Sequence, residues 1–571
     1  MSFLKNVFEM KKNQLVTLFL SANAVLGIIL FALFIIPRSE AGNRLILGLS
    51  TSRVIIAIIF FGFLLINFGV ILLANANFGS WQKEFERKGI RFFLDHQIIL
   101  VTMLYAVFIL TGAFLLLIIP PVIRPLTFLM PVRDRLGGFL GWIFFASTLL
   151  IILLHILDVQ TLVKESVIAQ LDQILILAGL FLLTFVLYAQ FAALIGWINK
   201  TKYSFWDLLA GAFMQGRLYL KNPPYTHDLT LFKGNWYVPM PPLPAILMMP
   251  LAYLIGAENI STSYLSMVFS AINGILVYLI LSELNKWKWI QISTAGIFLL
   301  VTIFLFGTPH FWVGFSGRGW YVSQILTVLF LALATYSALR SWSAWWVGAF
   351  IAIAMTARPN SLMTWPFVFA IAMQILKETE GKINLKQALF WSLKTIPPIA
   401  LAVAGLLTYN YLRFENILDF GYTTVNAGPD IVQNVQTWGM FSPHFVPINL
   451  MVMFFKLPRF PLSGLWPVEP STTGMSIFLT TPVLIYLFHR YPKQWWVIGA
   501  WVAIIFNIAL LSLYSNTGAH QFGYRYILDM LVPLIAMLAV GMSRKIPWHF
   551  IALVVVSIVI NMYGANWFMN A

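Results

Sequence analysis

Cysteine is absent from the 571 residues. That excludes a disulfide framework, thiol nucleophiles and cysteine-ligated metal, and it leaves the redox compartment unreadable. Charge is scarce as well: Asp, Glu, Lys and Arg make up 10% of the chain and hydrophobic residues 60%, against roughly 25% and 45 to 50% in ordinary globular domains. A soluble fold is excluded on that ground, and aromatics at 16% exclude a disordered or collagen-like chain. No Walker loop, dinucleotide fingerprint or His-x-x-x-His pair occurs, so nucleotide-driven and zinc chemistry have no support. A half-to-half repeat of the kind many transporters carry is missing too.

What the chain does have is apolar runs, about fifteen of them long enough, or nearly so, to cross a ~30 Å hydrocarbon core at ~20 helical residues each. Unpaired backbone cannot face lipid, so these runs are expected to be helical. The fold class is therefore an all-α, polytopic transmembrane helical bundle of about fifteen spans with two long external loops. Lys5, Lys11 and Lys12 precede the first run, Gln14 to Ile36, which is too long for a signal peptide's apolar region and reads as an uncleaved first helix. Further spans are expected near Val54–Leu73, Ile98–Ile119, Leu136–Leu157 and Ile174–Ile198. Between the second and third, Trp81, Phe85 and Phe92 share one helical face among Lys83, Glu84, Glu86, Arg87 and Lys88, the pattern of an interfacial helix.

After a polar loop, Asn199 to Pro239, spans are expected near Ile260–Leu281, Ile290–Gly307, Trp320–Leu339, Ala344–Ala357, Leu362–Leu376 and Thr395–Leu412. The longest loop, Arg413 to Gly474, leads to four more, near Met475–Phe488, Trp495–Tyr514, Tyr526–Val540 and Trp548–Tyr563. Residues 1–170 thus read as an N-terminal four-helix transmembrane module with an interfacial helix, and 171–571 as the functional core.

The net charge is +16. Lys and Arg lie mostly in short loops beside apolar runs, where they orient helices and meet anionic headgroups, so membrane lipid and not nucleic acid is the expected partner. With the N-terminus cytoplasmic, roughly 19 of these cations fall inside and 17 outside, about 8 of the latter in the two long loops. Short loops favour this orientation, which places both long loops on one external face, and the cell (plasma) membrane is the expected location.

The first long loop reads Phe205-Trp206-Asp207-Leu208-Leu209-Ala210, then Gly216-Arg217-Leu218-Tyr219, then Pro224-Tyr225-Thr226-His227-Asp228, and Asn235-Trp236-Tyr237 before Pro241-Pro242. A partly desolvated carboxylate at a membrane surface gains basicity and suits proton removal from an acceptor hydroxyl, and neighbouring aromatic faces suit a sugar. The plain structural reading is that Asp207 caps an interfacial helix beginning at Leu208 and that the Trp and Tyr residues form an interfacial belt.

These motifs resemble the polytopic GT-C glycosyltransferases, nearest to the dolichyl-phosphate-mannose-protein mannosyltransferase and lipid A aminoarabinose transferase type. The likeness runs from about Ile174 to the C-terminus, with further matches at Thr356-Ala357-Arg358-Pro359, at Tyr409-Asn410-Tyr411-Leu412-Arg413-Phe414 with Gly421-Tyr422 after it, and at Tyr524-Arg525-Tyr526. It implies a polyprenyl-phosphate sugar donor, an acceptor hydroxyl on protein, lipid or glycan, inversion at the anomeric carbon, and a catalytic acid in the first external loop, the position of Asp207. Asp228 is the second catalytic candidate. The loop Thr308–Gly319, where the family often has another acid, offers His310 and Arg318 and no carboxylate, so a divalent metal would have to rely on Asp228.

Arg525, with Lys456 and Arg459, is the candidate for holding the donor phosphate through charge-assisted bonds. Its structural alternative is an i, i+4 pair with Asp529. His227, Arg217, Tyr237, Tyr526, His310 and Arg318 are the substrate-binding candidates. Arg358 reads as a snorkelling anchor, and His155, near the end of the fourth span, as a neutral interhelical hydrogen-bonder. The rival function is a membrane transporter or lipid flippase, which calls for polar residues at the bilayer midplane.

The absence of native cysteine makes the topology directly testable. A lone cysteine at Thr226 is expected to react with a membrane-impermeant maleimide in intact cells, and one at Ser166 is not; the reverse pattern would put the first long loop in the cytoplasm.

Overall fold

The computed structural model describes residues 167–197, 204–461, 468–542 and 546–570, together with residues 45, 46, 49, 50 and 146. The chain divides into two compact units at Val186 and Leu187. In the first, β1 (Leu45–Ile46) pairs antiparallel with β2 (Leu49–Ser50). The first four expected spans, His155 and the expected interfacial helix at Trp81–Phe92 lie outside the described residues.

The helix α1 (Val167–Leu194) crosses the boundary between the units. Then come α2 (Trp206–Met214), the hairpin β3 (Thr230–Phe232) and β4 (Asn235–Tyr237), and α3 (Leu243–Ile255). The main helical body follows: α4 (Thr262–Lys286), α5 (Thr294–Phe306), α6 (His310–Ser316), α7 (Gly319–Leu339), α8 (Ala344–Met355), α9 (Trp365–Glu380) and α10 (Leu385–Phe414). After α10 come α11 (Pro429–Trp438), α12 (Val446–Phe454), α13 (Ile477–Thr480), α14 (Trp495–Ser512), α15 (Leu531–Gly541) and α16 (Trp548–Asn570).

Local chemistry sets several of these boundaries. Ser261 and Ser293 accept from the backbone N–H groups of Tyr264 and Gly296, satisfying first-turn donors of α4 and α5. Pro309, with no N–H to offer, stops the α5 ladder from continuing, and α6 resumes at a bend of 55°.

The protein is a mostly helical membrane protein, but the expectation of about fifteen spans is too high for the described part of the chain. Among the described residues five helices, α4, α7, α10, α14 and α16, are long and apolar enough to cross a membrane, and the bent α5–α6 pair makes a sixth. Apolar sequence overcounts here because several runs do not stay helical. Met475–Phe488 breaks at Thr481 and Pro482 into the four-residue α13 and a 3₁₀ turn, and Tyr526–Val540 starts as a 3₁₀ helix before the 11-residue α15. The runs at Ala344 and Leu362 become helices of 12 and 16 residues.

α7 is the buried axis of this body and packs against α4, α6, α8, α9 and α15. Lipid tails are as apolar as the side chains, so helix association in a bilayer rests on close packing. The two broadest interfaces, α8 on α10 and α9 on α14, both depend on a glycine. A Cβ at Gly348 would lie 2.6 Å from the Thr395 carbonyl oxygen, and one at Gly499 would lie 2.3 Å from Ala370 Cβ. At the loop end, a buried cluster of Trp206, Leu209, Met248, Val322, Leu326 and Ala357 joins α2 and α3 to the start of α7 and the end of α8. That joint fixes the segments carrying Arg318 and Arg358.

Candidate functional site

The two long loops are hydrogen-bonded to each other. The Asp228 N–H donates to the Asn426 carbonyl (2.7 Å), the Asn426 N–H to the Leu229 carbonyl (2.8 Å), and Thr230 bridges Val425. The Thr230 hydroxyl donates to the Gly421 carbonyl (2.6 Å). Arg413, almost fully buried, closes the base of the junction: its guanidinium donates to the Val238 carbonyl (2.5 Å) and Asn410 Oδ1 (2.9 Å) and stacks on the Tyr409 ring. Asp228 itself adopts φ 62°, a left-handed turn that aspartate tolerates better than most residues and that starts β3.

Behind this junction lies a cavity of about 830 Å³. The first loop gives it His227 and Asp228, the start of α7 gives Arg318 and Trp320, and the end of α8 gives Arg358 and Asn360. The second loop adds Tyr422 and the Ile431 and Val435 side of α11; the chain around α14 and α15 adds Tyr514, His520, Arg525 and Tyr526. Of the residues singled out in the sequence, the fold therefore gathers Asp228, His227, Arg318, Arg358, Tyr526 and Arg525 in one place.

The three guanidiniums are held differently. Arg358 donates two parallel bonds to Asp529, Nε to Oδ1 at 2.9 Å and Nη2 to Oδ2 at 2.7 Å, and Asn360 adds a third at 2.9 Å. Asp529 is fully buried, so this pair is charge-neutral and geometrically fixed. Arg358 is thus a paired cavity residue, not the snorkelling anchor the sequence implied. Arg525 donates to the Gly518 carbonyl and to Gln324 Oε1, each at 2.9 Å, and makes no ion pair among the described residues. Its expected alternative partner, Asp529, is taken by Arg358. The Tyr526 ring lies between the two, 5.0 Å from the Arg358 guanidinium and 4.6 Å from that of Arg525. Arg318 lies over the rings of Trp197 (4.8 Å) and Phe568 (5.9 Å), and its buried Nε has no hydrogen-bond partner.

Burial raises the Asp228 carboxyl above its ordinary value of 3.8, against the opposing charges of His227, Arg525, His520 and Arg318. The His227 Nε2 is 3.7 Å from its Oδ2. Tyr422, half-buried in the same cavity lining, is pushed up to about 12 by desolvation and stays a neutral hydroxyl.

The other candidates lie apart from the cavity lining. Asp207 sits in the first turn of α2, where its Oδ1 accepts from the Ser204 hydroxyl (2.6 Å); Phe205, not Asp207, occupies the cap position. Burial raises its carboxyl, and the Ser204 and backbone hydrogen bonds oppose the rise. Lys456 donates to Thr473, and Arg459 pairs through its backbone with Glu469. Arg217 pairs with Gln215 over the Tyr219 ring, and Tyr237 packs edge-on against Tyr219 and Phe414.

His310 is a buried core residue, contrary to a substrate-binding role. The single Tyr188 hydroxyl hydrogen goes to the Leu305 carbonyl (2.6 Å), so His310 Nδ1 at 3.1 Å donates to that hydroxyl oxygen and Nε2 accepts from Asn273 at 3.2 Å. Both ring nitrogens are used by the core.

Sequence reasoning missed Gln324, His520 and Tyr514, while Tyr422 lies in a motif it had noted. Gln324 carried a readable signal, an amide inside an apolar run that needs a buried partner. Among the described residues no three of His, Asp and Glu converge closely enough to hold a metal ion. No family model, curated protein or solved structure matches the chain. What the site does is therefore argued from its chemistry.

The Arg358–Asp529 pair yields a stability prediction. Asp529→Ala leaves the mostly buried Arg358 guanidinium uncompensated and is expected to cost about 3 kcal/mol. Lys233→Ala, which breaks the exposed pair with Glu415, is expected to cost less than about 1 kcal/mol. Thermal melts of both variants check the contrast, and equal melting temperatures would contradict it.

Proposed function

We propose that this chain is an integral-membrane glycosyltransferase that moves a sugar from a polyprenyl-phosphate donor to an acceptor hydroxyl on the non-cytoplasmic face of the cell membrane. The observation that carries the proposal is the convergence, in one cavity at the loop end of apolar helices, of a carboxylate of raised basicity with two guanidiniums that have no carboxylate partner. A base and a held leaving phosphate are what such a transfer requires.

Asp228 takes the proton of the acceptor hydroxyl as its oxygen attacks the anomeric carbon from the side opposite the phosphate, inverting that centre. The bond from the anomeric carbon to the phosphate oxygen breaks, and polyprenyl phosphate leaves with the bonding electron pair. The negative charge it gains is stabilised by Arg525, held by its bonds to Gly518 and Gln324, and by Arg318, over the Trp197 ring. Aromatic lining from Trp320, Tyr422 and Tyr526 suits the sugar's apolar faces. The family resemblance favours Asp207 as the base; the cavity lining favours Asp228, because a base must reach the proton it removes.

With donor and protein in nanodiscs, Asp228→Asn is expected to lower kcat by about 10² to 10⁴-fold, and Asp207→Asn to retain most activity. The base must be ionised, so activity is lost as pH falls through its pKa; because that value is raised, the acid limb of kcat/KM should lie above the usual carboxylate range near 3.8. The reverse pattern between the two variants would move the base to Asp207, and full activity in both would remove glycosyl transfer by a carboxylate base.

A further inference from the structure

Arg525 and Arg358 share one aromatic ring and one cavity, yet their partners differ in charge. Arg358 faces a carboxylate. Arg525 faces an amide and a backbone carbonyl, both neutral, although it is only 4% exposed. A guanidinium that deep without an anion is costly, and the fold could have relieved the cost with a glutamate in place of Gln324, which has the same length.

We infer that Gln324 is a positioning residue for Arg525, fixing the guanidinium through a neutral clamp so that its whole charge stays available to an anion in the cavity. Gln324 is fully buried on α7 and grips Arg525 at two points. Its Oε1 accepts from Nη1 (2.9 Å), and its Nε2 donates to the Arg525 backbone carbonyl (3.1 Å). The second bond fixes the amide's orientation: flipped, its NH₂ would face the guanidinium N–H groups and its oxygen would face a carbonyl. Nε donates to Gly518, and the Arg525 N–H donates to Gln521 Oε1 (2.9 Å). These bonds immobilise the fork from behind. Of its five N–H donors, only Nε and one on Nη1 have close partners, since the contact from Nη2 to the Tyr526 hydroxyl is 3.5 Å. The remaining donors can serve an anionic ligand, and a planar fork suits phosphate oxygens.

The inference rests on the reading of Arg525 as a phosphate-holding residue, and the test separates the two. Binding of farnesyl phosphate to the full chain in detergent is measured alongside melting temperature for wild type, Arg525→Ala, Gln324→Glu and Gln324→Met. Gln324→Glu keeps the bond to Nη1 as an ion pair but loses the Nε2 bond to the Arg525 carbonyl, so farnesyl phosphate affinity should fall about tenfold or more while the melting temperature stays above that of Gln324→Met, which loses both bonds. Gln324→Met keeps the charge and releases the fork, so its affinity should lie between wild type and Gln324→Glu. A merely structural Gln324 predicts the opposite order, with Glu better tolerated than Met in binding as in stability. Loss of binding in Arg525→Ala combined with wild-type affinity in Gln324→Glu overturns the clamp alone. No binding by wild type, or equal binding by Arg525→Ala, overturns both the clamp and the reading beneath it.

Discussion

Everything about this site follows from the difficulty of keeping guanidiniums inside a membrane protein. The fold solves it in two ways a few ångströms apart. Arg358 is neutralised by Asp529 with two parallel bonds, and Arg525 is tied to neutral oxygens and left charged. Tyr526 touches both through its ring face. The neutral pair makes a rigid wall; the charged one makes an electrostatic demand that a ligand can meet. The asymmetry gives the cavity a direction, with its positive side on the chain around Arg525 and Arg318 and its carboxylate on the facing loop.

That carboxylate depends on the two long loops acting as one structure. Asp228 would be an ordinary loop acid without the backbone bonds to Asn426 and the Thr230–Gly421 contact that hold it over the cavity. The α11 segment extends the same junction, turning Ile431 and Val435 toward the cavity. Arg413 bonds three neutral acceptors on its own helix and on the first loop, so the end of α10 and the start of the site move together.

The helical membrane class was legible from composition, and most apolar runs of the described part do contain helix. Their number was not, because hydropathy registers where apolar residues lie and not whether the backbone stays α-helical. Pro482, for example, breaks the run Met475–Phe488, which looks continuous by hydropathy. The same effect removes the structural alternative weighed for Arg525. An i, i+4 pair with Asp529 presumes an α-helix, whereas Arg525–Met530 is a 3₁₀ helix of about three residues per turn, in which the fourth residue on points elsewhere. Asp529 is thereby turned to Arg358, a partner far away in sequence. The loop residues were legible as a group but not in rank: the motif drew attention to Asp207, and only the pairing of the two loops brings Asp228 to the cavity. Gln324, His520 and Tyr514 lie on elements distant in sequence, and nothing in local pattern joins them.

The most direct measurement is a cryo-electron microscopy map of the full chain in nanodiscs supplemented with a polyprenyl phosphate. The account predicts phosphate density in the cavity within hydrogen-bonding distance of Arg525 and beside Arg318, with Asp228 facing it across the space a sugar would fill. Phosphate density at Lys456 and Arg459, with the cavity free of lipid phosphate, would contradict it.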